Sequence, residues 1–196
     1  MKYRLEFEKK DDIKYISHLD LQRVFNHTIR RAKIPVAFTE GFHPHMKLSF
    51  ALPLSVGMTS SKDYADLICT CECDFVNDFN NAAPSGLFLH RAYTFEGASS
   101  AALTIAADYE IYTDLKVQDE FLQRESITIE KRTKKGIKII DIKPDIYYIN
   151  QAEDIITMRL SAGSNRHLAP QTVLNEIFGK SDFEINRKDL IFINMP

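Results

Sequence analysis

The chain has 196 residues, of which 44% are hydrophobic and 27% charged, with a formal net charge of −2; this excludes disorder and suits one large or two small soluble domains. No apolar run reaches the roughly 18–20 residues of a membrane span, and the charged N-terminal MKYRLEFEKKDDIKY is not a signal peptide, so a cytoplasmic protein with no membrane partner is expected. Charge is uneven: residues 1–50 hold 10 Lys+Arg against 6 Asp+Glu, a net +4 that leaves −6 on the remainder and predicts an electropositive face in the N-terminal part.

Residues 2–9 alternate, with Tyr3, Leu5 and Phe7 facing one way and Arg4, Glu6 and Glu8 the other, as in a half-buried strand. A helix follows, capped by Ser17 with Asp20 three residues on, and Pro35 marks its end. At about 100° per residue, Leu21, Val24, Phe25, Thr28, Ile29 and Ala32 form a packing face. Asp20, Arg23, Asn26, His27, Arg30 and Arg31 form a polar, basic one. Then come a short extended piece (36–39), a loop (40–47), strands at 48–56 and 64–73, a helix at 75–82 and a strand at 87–95. The small-residue stretch 97–102 suits a domain junction.

The second half repeats this order: a strand at 108–113, a helix at 116–124, and a hairpin over 127–141 turning at 134–136. A strand pair follows at 146–150 and 155–161, then a helix opened by Pro170 and a closing strand or pair at 183–194. The expected fold is therefore α+β, with two tandem ferredoxin-like (split β-α-β) domains built on antiparallel sheets, at residues 1–97 and 98–196. Cys69, Cys71 and Cys73 form a C-x-C-x-C run. On one extended strand all three thiols would share a face, as small buried hydrophobes. No second Cys/His pair stands at zinc spacing, so no metal or cofactor is expected.

Candidate function concentrates in residues 17–47. Ser17, His18 and Asp20 begin the helix, and Arg23, His27, Arg30, Arg31 and Lys33 follow. Gly41, Phe42, His43, Pro44, His45 and Lys47 lie in the loop. Gly41 permits a positive φ and Pro44 stiffens the backbone, so the loop can present its histidines and lysine in a fixed arrangement. A Ser17-His18-Asp20 relay fails on geometry, because adjacent residues at a helix start point in different directions. Ser17 and Asp20 have a simpler job as caps.

Across residues 1–60 the chain resembles the radical-SAM-linked family, a domain of unknown function found beside, or fused to, B12-binding-type radical SAM proteins. The resemblance is carried by Phe7, the run ISHLDL at 16–21, Arg23, Arg30, Arg31, Ile34, Pro35, EGFHPHMK at 40–47, Ser49, Phe50 and LPLSVG at 52–57. Met46 stands where a second proline often occurs, a departure expected to loosen the loop. The cysteine run lacks the C-x3-C-x2-C spacing of the radical SAM enzymes themselves. The resemblance implies a radical SAM partner and an RNA-related process. Element order is also similar to the CRISPR repeat-RNA processing endonucleases, although their C-terminal glycine-rich loop is missing.

The reading expected first is a non-catalytic accessory protein of a radical SAM enzyme. It binds RNA through Arg23, His27, Arg30, Arg31, Lys33, Phe42, His43, His45 and Lys47, with the hairpin at 130–138 as a second contact. The alternatives are a protein-interaction adaptor without RNA binding, and a ribonuclease using His18 with His43 or His45 as acid and base.

Overall fold

The alternation at residues 2–9 does produce a strand, β1 (Lys2–Lys9), because Leu5 and Phe7 are fully buried while Arg4, Glu6 and Glu8 turn to the opposite face. In this computed structural model, which describes residues 1–133, 136–163, 166–179 and 182–193, the protein is a mixed α+β molecule with mostly antiparallel pairing. The first half continues through α1 (His18–Arg31), β2 (Leu48–Phe50), β3 (Thr59–Ile68), α2 (Val76–Ala82) and β4 (Leu87–Thr94). A four-residue helix, α3 (Ser100–Leu103), leads into β5 (Thr104–Tyr112), α4 (Asp119–Leu122), β6 (Thr128–Thr133) and β7 (Gly136–Asp141). The chain ends with β8 (Ile146–Ala152), β9 (Ile155–Ser161), α5 (Pro170–Phe178) and β10 (Glu184–Phe192).

One sheet carries both halves, in the order β4-β1-β3-β10-β5-β9-β8, with β2 pairing β3 at Ala65–Leu67, beyond the stretch that β10 pairs. The seam is a short parallel pairing, Asn186 with Thr59 and Arg187 with Ser60. Helices α1 and α2 pack on the first half through Leu21, Phe25, Ile29 and Phe79, and α5 packs on the second through Val173 and Leu174. β6 and β7 form a separate two-stranded ribbon, as the expected hairpin, whose turn residues 134 and 135 lie outside the described residues.

Three expectations shift for local reasons. The strand expected over 48–56 stops at Phe50, because the Arg187 guanidinium bonds the carbonyls of Leu52 and Pro53 and holds that stretch as a turn. The helix expected over 116–124 shrinks to one turn. The Val117 N–H is taken by the Gln151 side chain, and Lys116 reaches the Glu153 carbonyl, so both residues stay outside it. The small-residue junction is tied down rather than free: Arg4 donates to the Ala98 carbonyl, and the Ser100 N–H bonds the Asp66 carboxylate at 2.6 Å.

The thiols do not share one face either. β3 ends at Ile68 and the Thr70 N–H bonds the Pro35 carbonyl, which turns the chain. Cys69 is buried, Cys71 exposed, and Cys73 half-buried beside Cys69.

Candidate functional site

Ser17 caps α1 by accepting from the Asp20 N–H at 3.2 Å, and its hydroxyl donates to the Asp20 carboxylate at 2.7 Å. That hydroxyl, with Arg23 at 2.7 Å, holds the Asp20 carboxyl below its usual range. Asp20 therefore pairs with Ser17 and Arg23, while His18 lies edge-on against Phe50, with ring centroids 5.3 Å apart. No proton relay joins the three. Leu21, Phe25, Thr28 and Ile29 are buried, and Arg23, His27, Arg30 and Arg31 are exposed, so the predicted rotation of the helix is the observed one.

The helix ends in a Schellman arrangement: the Ile34 N–H bonds the Ile29 carbonyl and the Lys33 N–H that of Arg30. Lys33 occupies the left-handed position at φ 55°, where glycine is favoured and an L residue is strained by roughly 1–2 kcal/mol. Its side chain is exposed. Asp11 and Glu153 share such a positive φ.

The loop grows from an antiparallel stem. Val36 bridges Cys69 and Phe38 bridges Met46. The Thr39 N–H bonds the His45 carbonyl at 2.8 Å, and the His45 N–H bonds the Thr39 hydroxyl at 2.9 Å. Gly41 adopts φ +116° at the turn. Met46 is buried in the first-half core, so the residue expected to loosen the loop anchors it. Beyond this staple, His43, Pro44 and His45 are exposed, and Phe42 is wholly in solvent at 101% relative exposure.

The basic residues fall into two kinds. Arg23 is engaged with Asp20, and Arg31 donates to the Ala82 carbonyl at 2.6 Å, satisfying the C-terminus of α2. Arg30, Lys33 and Lys47 have no side-chain partner among the described residues. Lys47 does not lie over the helix. It lines a groove with Ser49 and Asp66, whose strand neighbours Leu48 and Leu67 are buried beneath α1, so the groove opens on the opposite sheet face. Lys131, Arg132 and Lys138 of the β6-β7 ribbon are exposed.

Elsewhere several charges are paired. Arg91 meets Glu6 at 2.8 Å, Lys62 meets Asp189 at 3.1 Å and Arg159 meets Asp108 at 2.7 Å. At the seam, Arg187 and Asp63 form a buried ion pair, with Lys9 also buried nearby. Burial pulls the Lys9 ammonium below its ordinary range, with Asp63 opposing the shift. Nothing in the sequence pattern marks this cluster, since its members lie 54 and 124 positions apart along the chain.

Among the described residues no helix is long and apolar enough to cross a membrane, and no group of three or more His, Cys, Asp or Glu is placed to hold a metal ion. No curated protein matches the chain. A family model does match, over residues 2–170, and the chain thereby belongs to the bacterial family described as an uncharacterized protein conserved in bacteria, DUF2344.

Proposed function

We propose that this protein is a non-catalytic accessory module that binds RNA through the outer face of α1 and the stapled loop after it, and that it serves a radical SAM enzyme. The observation that carries the RNA reading is Phe42, a whole aromatic ring in water at the tip of a loop whose base is hydrogen-bonded and anchored by Met46. Burying such a ring is worth about 1.5–3 kcal/mol. A fixed, exposed ring offers an unpaired base a stacking partner. Arg30 and Lys33 are exposed, with no side-chain partner among the described residues, and stand free for phosphates. The radical SAM partner comes from the sequence resemblance. The strand orders β4-β1-β3-β2 and β10-β5-β9-β8 support reading each half as a split β-α-β, ferredoxin-like unit, with the boundary near residue 97.

The test is fluorescence anisotropy of the full chain with a labelled single-stranded RNA of about 12 nucleotides, at roughly 50 and 200 mM salt. Binding that weakens steeply with salt, and roughly 5- to 100-fold on Phe42→Ala, is expected. Absence of binding at the lower salt sinks the reading. Affinity capture with a B12-binding-type radical SAM protein tests the partnership, and failure to co-purify removes that part alone.

A further inference from the structure

We propose that the groove at the base of the motif loop is a nucleotide subsite, taking one unstacked nucleotide of a single strand. This rests on the RNA reading above and assigns Lys47 a place that the α1 face does not give it. The groove has a volume of about 320 Å3, within the size range of small-ligand sites. Its walls come from four separate parts of the chain: the start of β1 (Lys2), the loop stem (Thr39, Met46, Lys47), the β2-β3 pair (Ser49, Ile68), and the tied-down junction (Phe95, Gly97, Ser99). Two of the stem residues, Thr39 and Met46, directly flank the exposed loop at 40–45. A strand stacked on Phe42 would thus lead its neighbouring nucleotide toward the groove.

Its chemistry suits a nucleotide. Ile68 and Phe95 give apolar contact for a base, and the Phe95 ring is held in place by the Arg4 guanidinium 4.2 Å from its centroid. Ser49, Ser99 and Thr39 supply hydroxyls for base edges or ribose. Two ammonium groups serve the phosphate. Lys47 has no side-chain partner among the described residues, and Lys2 reaches the Gly97 carbonyl at 3.4 Å and stands 6.0 Å from the Phe95 ring centroid. The carboxylate in the lining, Asp66, does not repel an anion strongly. It is 8% exposed and neutralised by Arg4 at 2.9 Å, with its other oxygen on the Ser100 N–H.

The experiment adds adenosine and uridine 5′-monophosphates to 15N-labelled full-length protein, and in parallel measures RNA binding by wild type, Lys47→Glu and Ser49→Tyr. Ser49 is exposed in the groove, so a tyrosine there fills the space from the solvent side. If the groove is the subsite, monophosphates shift the amides of Ser49, Ile68, Gly97 and Ser99, both variants abolish those shifts, and each weakens RNA about tenfold or more. Lys47→Ala should lower the salt slope of RNA binding by about 0.7. RNA bound equally by wild type and both variants, with no monophosphate shifts, overturns the subsite and leaves the RNA reading standing. Monophosphate shifts at these amides without RNA binding overturn the RNA reading and leave the groove as a nucleotide site. Absence of both overturns both.

Discussion

The seam between the two halves and the outer surface of α1 with its loop are both rich in positive charge, but they handle it in opposite ways. At the seam, Arg187 spends its guanidinium on Asp63 and on two backbone carbonyls, and Lys9 is enclosed beside them. On α1 and the loop stem, Arg30, Lys33 and Lys47 lack partners among the described residues and face water. A buried cation has to be paired, because leaving it unpaired costs several kcal/mol. An exposed cation carries no such demand and remains available to a ligand. The arginines of α1 divide on the same principle: Arg31 completes the end of α2, and Arg30 has no side-chain hydrogen bond or ion pair among the described residues.

Breaking the seam gives the largest effect. Asp63→Ala strands Arg187 and Lys9 without a counter-ion, and urea unfolding should show a loss of about 3–5 kcal/mol. A variant that unfolds at the wild-type midpoint would end the distinction drawn here.

The buried thiol gives a pH test of the enclosed side. Burial pushes Cys69 up from 9.0 to about 12. The unfolded chain therefore ionises first, and the contribution is full below pH 9 and lost progressively as pH rises toward 12. Cys69→Ala should flatten the fall in stability across that window by up to about 1.4 kcal/mol per pH unit, read as unfolding free energy against pH. Identical slopes would mean that the thiol titrates as it does in the unfolded chain.

The exposed side is tested by variants whose effects on folding and on binding diverge. Lys33→Gly relieves the left-handed backbone and should stabilise the protein by about 1 kcal/mol, while its RNA binding loses salt dependence by about 0.7 in log-log slope. Arg31→Ala should cost about 1 kcal/mol through the freed α2 carbonyl. Smallest of all, Arg30→Ala should leave stability within about 0.5 kcal/mol yet lower the RNA salt slope as Lys33→Gly does. Arg30→Ala that destabilises as Arg31→Ala does would place both in packing and blur the two classes.

Much of the backbone was legible in the chain itself. β1 follows from two-residue alternation, α1 from a Ser17 cap and a rotation that separates Phe25 and Ile29 from Arg23 and Arg30, and α5 from Pro170 at its first turn. Where the reading failed, a distant residue intervened. Arg187 stops the strand after Phe50, Gln151 and Glu153 hold residues 116–117 out of α4, and the turn after Ile68 separates three thiols that a continuing strand would align.

The candidate site divides in the same manner. Sequence by itself determined which residues of α1 face outward and that a Gly-Pro loop exposes Phe42 and two histidines, because helical rotation and turn chemistry are local properties. Only the tertiary structure decided that one outward arginine caps a neighbouring helix, that Lys47 turns to the far side of the sheet, and that Lys9, Asp63 and Arg187 meet at the join of two half-sheets. Those outcomes depend on pairings between residues up to 124 positions apart, and no pattern along the chain encodes a partner at that distance.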